Sequence, residues 1–115
     1  MGEKVLFVQD DTDRVAQPPH LDDLVIDVAR REVRRNGQVL HLKPREYSLL
    51  AFLSHNPGLA LSRESLLQAV WGRERAGSTR TVDVHICWLR DKIEPDPSRP
   101  RRIVTVRGFG YRFEE

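Results

Sequence analysis

Four apolar residues step through a basic segment at helical spacing, and three prolines then end it. Val82, Ile86, Leu89 and Ile93 recur every three or four residues, the period that turns one side of a helix toward a core. Pro95, Pro97 and Pro100 forbid the helix from continuing. Beyond them, Ile103 to Val106 and Tyr111 to Phe113 read as strands joined around Gly108 and Gly110. Arg80 to Phe113 is therefore restricted to a helix with one buried stripe, followed by a terminal β-ribbon. The helix also carries Arg80, His85, Trp88 and Arg90, and the ribbon carries Arg107. A cationic helix beside a cationic ribbon fits duplex DNA, whose wide groove admits a helix.

The residues upstream supply the rest of a small domain. Leu24 to Asp27, Glu32 to Arg35 and Val39 to Leu42 read as three short antiparallel strands. Asn36-Gly37 is a two-residue hairpin signal, because both central positions of that turn take positive φ. Pro44 opens a helix at a position where its missing N–H costs nothing. Tyr47, Leu50, Ala51 and Leu53, with Leu49 and Phe52 beside them, make an apolar face broad enough for a central helix. Asn56-Pro57-Gly58 stops it. Ser62 is an N-cap for a second helix bearing Leu66, Leu67, Val70 and Trp71 and ending at Gly72. Residues 73–78 are a polar loop, and Ser78 or Thr79 caps the third helix, from about Arg80 to Glu94. Val84, Cys87, Trp88 and Asp91 lie off the buried stripe of that helix. The expected fold is α+β: a winged helix-turn-helix with an N-terminal antiparallel sheet, three helices and a C-terminal β-hairpin wing.

Charge is unevenly spread over the 115 residues. Residues 1–29 hold two basic and seven acidic side chains, residues 30–77 nine and four, and residues 78–113 eight and four. An acidic lead and a basic body suit a polyanion-binding domain, although an ordinary solvated surface has similar composition. Residues 1–21 combine Asp10, Asp11 and Asp13 with Gln17-Pro18-Pro19 and read as a tail or linker, with Lys4 to Val8 as a short strand within it. Residues 22–115 are expected to be the folded domain. No run approaches the roughly 18 apolar residues of a membrane span, and no apolar secretory core opens the chain. One cysteine excludes an internal disulfide and suits a reducing cytoplasm.

Taken together, these blocks resemble a known family. Leu42-Lys43-Pro44-Arg45-Glu46-Tyr47, Asn56-Pro57-Gly58, Ser62-Arg63-Glu64-Ser65-Leu66-Leu67, Val70-Trp71-Gly72, Arg80-Thr81-Val82-Asp83-Val84-His85-Ile86, Leu89-Arg90-Asp91-Lys92-Ile93-Glu94 and Thr105-Val106-Arg107-Gly108-Phe109-Gly110-Tyr111-Arg112-Phe113 are similar to the winged-helix effector domain of the OmpR/PhoB response regulators. The resemblance spans about residues 22 to 113. It implies a bacterial, cytoplasmic two-component transcription regulator that binds direct-repeat double-stranded DNA as a homodimer. The third helix is then expected in the major groove and the wing over the minor groove. The loop at residues 73–78 is the implied contact for RNA polymerase, and a receiver domain normally precedes such an effector. Val5 to Val8 followed by Asp10-Asp11 resembles a receiver's first strand and acidic pair, but the rest of a receiver does not follow. In relatives two basic residues often stand where this chain has Cys87 and Trp88, and Lys43 replaces a frequent Thr or Ser cap. A basic residue at the second position can pair with guanine, worth about 1–3 kcal/mol of discrimination. Trp88 cannot make that pair.

The expected DNA contacts are Trp71, Arg80, Thr81, Val84, His85, Cys87, Trp88, Arg90, Thr105, Arg107 and Tyr111. Arg80 and Thr81 would hold phosphate at a helix N-terminus, and His85 would donate to phosphate. Arg90 would do the same, or pair with Glu94 four residues on. Trp71 is mostly core, with its indole near the DNA backbone. Trp88 has three places open to it: against a thymine methyl or sugar, in a protein interface, or packed locally. Arg107 is expected in the minor groove, where narrow A·T-rich segments attract arginine. Thr105 and Tyr111 are weaker phosphate candidates, and Asp83 is structural.

Catalysis finds no support in the sequence. His85 and Cys87 are two residues apart on a helix and point to different faces. His20, His41 and His55 have no ligand spacing, and no phosphate-binding loop motif is present. No enzyme activity, metal or cofactor is expected. The rival reading is a winged-helix interaction module that has lost specific DNA reading and uses Trp88 as its anchor.

Overall fold

The computed structural model describes residues 22–72 and 78–114. The expected tail at residues 1–21, its short strand, and residues 73–77 of the expected polymerase loop lie outside the described residues. Strands β1 (Leu24–Asp27), β2 (Glu32–Arg35) and β3 (Gln38–Val39) form an antiparallel sheet in that order. Arg35 pairs with Gln38 across the Asn36-Gly37 turn. Both turn residues have positive φ, 54° and 84°, as a two-residue hairpin of this hand requires. The third strand is shorter than the expected Val39 to Leu42. One further bond, from Leu40 N–H to the Val33 carbonyl at 2.8 Å, continues it before the chain turns toward Pro44.

Helix α1 (Pro44–Ser54) begins with that proline. Lys43 N–H donates to Glu46 Oε1 at 2.9 Å, which satisfies one of the donors a helix start leaves free. Glu46 is 1% exposed, and Lys92 Nζ donates to the same oxygen at 2.7 Å. Burial pushes the Glu46 carboxyl up, but the Lys92 ammonium and the Lys43 N–H outweigh it and hold the group below the usual range.

Strand β4 (Leu61–Ser62) leads into helix α2 (Arg63–Trp71), and helix α3 (Arg80–Ile93) follows. Ser62 Oγ accepts from Ser65 N–H at 3.0 Å, the N-cap expected there. At α3 the cap is Ser78, whose Oγ accepts from Arg80 N–H at 3.0 Å, while Thr79 makes no side-chain cap. The stripe Val82, Ile86, Leu89 and Ile93 is fully buried. It meets Leu49, Leu50 and Leu53 of α1 and Leu66 and Leu67 of α2 in one core.

Strands β5 (Ile103–Val106) and β6 (Gly110–Phe113) form the C-terminal hairpin, and β4 adds to it in the order β4-β6-β5. Leu61 pairs with Tyr111 and Ser62 with Gly110. A Cβ at Gly110 would stand 2.0 Å from the Leu61 carbonyl oxygen, so only glycine permits this approach. Glu94, 1% exposed at the end of α3, gathers the chain back after the prolines. Its carboxylate accepts from the N–H groups of Arg101, Arg102 and Ile103 at 2.8 to 3.1 Å. The architecture is a winged helix-turn-helix with α2 and α3 as the pair and β5-β6 as the wing. Among the described residues, no helix is long and apolar enough to cross a membrane.

Candidate nucleic-acid interface

With its stripe buried, α3 must turn its other side outward. Arg80, Val84, Cys87, Trp88 and Asp91 are all exposed. The wing is braced against this helix at two points. Arg90 donates through Nε and Nη2 to the Ile103 carbonyl at 3.1 and 2.8 Å, and through Nη2 to Thr105 Oγ1 at 2.9 Å. Tyr111 Oη donates to Asp83 Oδ1 at 2.7 Å, and Arg63 Nε donates to the same oxygen at 2.9 Å. Asp83 is thus structural, as its position near the helix start suggested. Burial, and then the bond to Asp83, push the Tyr111 phenol up, which keeps it a neutral donor. The Asp83 bond likewise raises Arg63.

A chain of rings and cations runs across the same side. Arg45 lies 5.8 Å from the Trp71 ring centroid. Trp71 meets His85 edge-on with centroids 4.9 Å apart, His85 lies 5.0 Å from Trp88, and Lys43 Nζ stands 4.8 Å from the Trp88 centroid. Contacts of this kind hold an aromatic ring in place. His85 Nδ1 is 2.8 Å from the Thr81 carbonyl oxygen. A carbonyl only accepts, so Nδ1 carries the hydrogen. Nε2 can then donate to a phosphate only when the ring holds a second proton.

Residues 37–113 match the family model described as "Transcriptional regulatory protein, C terminal". The chain belongs to this family. It is a winged-helix effector domain of the OmpR/PhoB response-regulator type. A probable transcriptional regulatory protein of Picosynechococcus is 52% identical over 77 residues, covering 67% of this chain and 31% of that protein. The response regulator DrrB of Thermotoga maritima, an OmpR/PhoB homologue, superimposes with a TM-score of 0.76 at 42% identity, over 81% of this chain and 42% of that one. The DNA-binding domain of RstA from Klebsiella pneumoniae, solved in complex with the RstA box, gives a TM-score of 0.71 at 35% identity, over 79% of this chain and 90% of that one. The chain spans less than half the length of the curated relatives it matches.

Within the effector domain ten of the eleven expected contact residues fall into two groups. Arg80, Val84, Cys87 and Trp88 point outward on α3, and Thr105 and Arg107 are exposed on the wing. Thr81, His85, Trp71 and Arg90 are half-buried and hold neighbours in place. One expectation is corrected. Arg90 does not pair with Glu94, because the Glu94 carboxylate is taken by three backbone N–H groups and Arg90 turns to the wing. Tyr111, the remaining expected contact, is 5% exposed and its hydroxyl donates to Asp83.

Lys43, Arg45 and Arg63 join the site without having been singled out for it. Lys43 and Arg45 flank the proline that opens α1. Only the packing of α1 beside α3 brings them over the two tryptophans.

Proposed function

We propose that residues 22–115 form a duplex-DNA-binding domain that places α3 in the major groove and the β5-β6 wing over the minor groove. The observation that carries this reading is the double brace between Arg90 and the wing and between Tyr111 and Asp83. It makes helix and ribbon one rigid surface, around which Arg80, Lys43, Arg45 and Arg107 are exposed. The RstA domain, similar over most of its length and solved with its DNA box, supports DNA as the ligand. Arg80 holds phosphate beside the start of α3, where the helix dipole adds to its charge. His85 is placed toward phosphate, with Trp71 packed edge-on against it. Arg107 enters the minor groove.

Two copies on a direct repeat supply the free energy that one small domain lacks, so the active form on DNA is a homodimer in a bacterial cytoplasm. Residues 73–78 are the segment offered to RNA polymerase. The role requires no chemical step. The rival interaction module is not favoured, because the family match and the similar RstA domain solved with its DNA box both point to DNA.

The test is duplex binding across a salt series. Phosphate contacts make affinity fall steeply with salt. Arg80→Ala is expected to weaken binding to all duplexes and lower the salt slope by about one. Arg107→Ala should cost most on A·T-rich flanks. Unchanged affinity in both variants at moderate salt would show that this face is not the one used.

A further inference from the structure

The exposed apolar groups of α3 fall in one place. Val84 is 38% and Trp88 41% exposed, and Cys87 is exposed beside them. Trp88 follows Val84 by four residues and Cys87 follows it by three, and such positions adjoin on a helix surface. Arg80 bounds the patch one turn earlier and Asp91 one turn later.

Trp88 is fixed rather than loose. The His85 ring packs at 5.0 Å and Lys43 Nζ at 4.8 Å from its centroid, and His85 is itself tied to the Thr81 carbonyl. A ring already held loses little freedom when another surface meets it. Lys43 also brings a positive charge to the rim of the patch, complementary to phosphates on either side of a groove.

The patch has little hydrogen-bonding capacity. Valine has no polar side-chain atom, a thiol is a weak donor, and indole has one N–H and no acceptor. Guanine presents paired acceptors in the major groove and adenine an acceptor with a donor. None of the three side chains matches either pattern. The apolar feature on a major-groove base edge is the thymine C5-methyl.

We propose that Val84, Cys87 and Trp88 form a methyl-reading patch, with Trp88 its principal contact, so that the middle of each half-site is recognised by thymine C5-methyl groups. This deepens the DNA-binding proposal and rests on it.

The experiment begins by selecting sites from random duplexes with the 115-residue chain near physiological salt. Each thymine of the selected half-site is then replaced singly by deoxyuridine, which removes the methyl and leaves the hydrogen-bonding edge unchanged. One or two central positions are expected to lose about fourfold in affinity each, the worth of one buried methyl carbon. Trp88→Ala should bind more weakly and treat the thymine and uracil duplexes alike. Trp88→Arg should regain affinity with guanine preferred at that position, which also reports an intact fold. A selected site whose uracil forms all bind like the parent overturns methyl reading and leaves the DNA-binding proposal standing. Methyl sensitivity that persists in Trp88→Ala overturns the role given to Trp88. No enrichment and no duplex binding at any salt brings down both.

Discussion

Glu94 shows how much one side chain can decide. Its carboxylate holds three successive backbone N–H groups at the start of β5, and it is itself 1% exposed. Leaving buried donors unpaired costs about 1–3 kcal/mol each. Glu94→Ala is therefore expected to lower unfolding stability by about 3 kcal/mol or more in urea titrations, and Glu94→Gln, which keeps one acceptor, by roughly half as much. A loss under about 0.5 kcal/mol would mean that the wing start does not depend on this carboxylate. The sequence hinted at the wrong partner for it. Arg90 stands four residues before Glu94, and that spacing is compatible with a pair. Burial of the carboxylate and the return of the chain after the prolines bring stronger donors instead.

At the scale of elements, the wing is anchored through its second strand. β6 pairs with β5 and also with the two-residue β4, so the hairpin is joined to the N-cap of α2. Gly110 allows that junction, because a methyl group there would collide with the Leu61 carbonyl. Gly110→Ala is expected to destabilise the domain by about 3 kcal/mol and to loosen β4 from β6, read as faster amide exchange at Leu61 and Tyr111. Wild-type exchange rates in that variant would mean that the strands can part at little cost. The helices, both hairpins and the turn chemistry were legible in the chain, since each depends on spacing or on a local φ. β4 was not, because two residues leave no alternation to detect.

Around the core, ion pairs tie distant segments of the domain together. Asp22 receives Arg35 at 2.9 Å and lies 3.8 Å from Arg102, and Glu46 receives Lys92 from the end of α3. The Arg35 hydrogen bond, opposed by burial and aided by the Arg102 charge, holds the Asp22 carboxyl below its ordinary range. Glu46 is depressed as well. Burial lowers Arg102, yet an arginine keeps its charge at neutral pH. For a carboxyl depressed in the folded state, the stabilisation is present above its unfolded pKa and lost as pH falls through the folded one. The melting temperature should therefore hold near neutrality and fall progressively below about pH 5. Glu46→Gln should flatten part of that fall, and an unchanged acid limb would remove Glu46 from the account.

Periodicity, proline and glycine placement and capping residues determined the winged-helix order, the buried stripe of α3 and the outward set Val84, Cys87, Trp88 and Asp91. Those signals act within a few residues of one another, so the chain carries them by itself. Tertiary structure decided what each side chain is free to do. Tyr111 and Arg90, both plausible phosphate contacts by position, are bound to Asp83 and to the wing. Lys43 and Arg45 reach the aromatic row only because α1 packs across α3. Trp88 is both packed and exposed, a combination that no spacing along a helix encodes. Hydrogen bonds and ring contacts between residues far apart in sequence depend on distances that exist only once the core has closed.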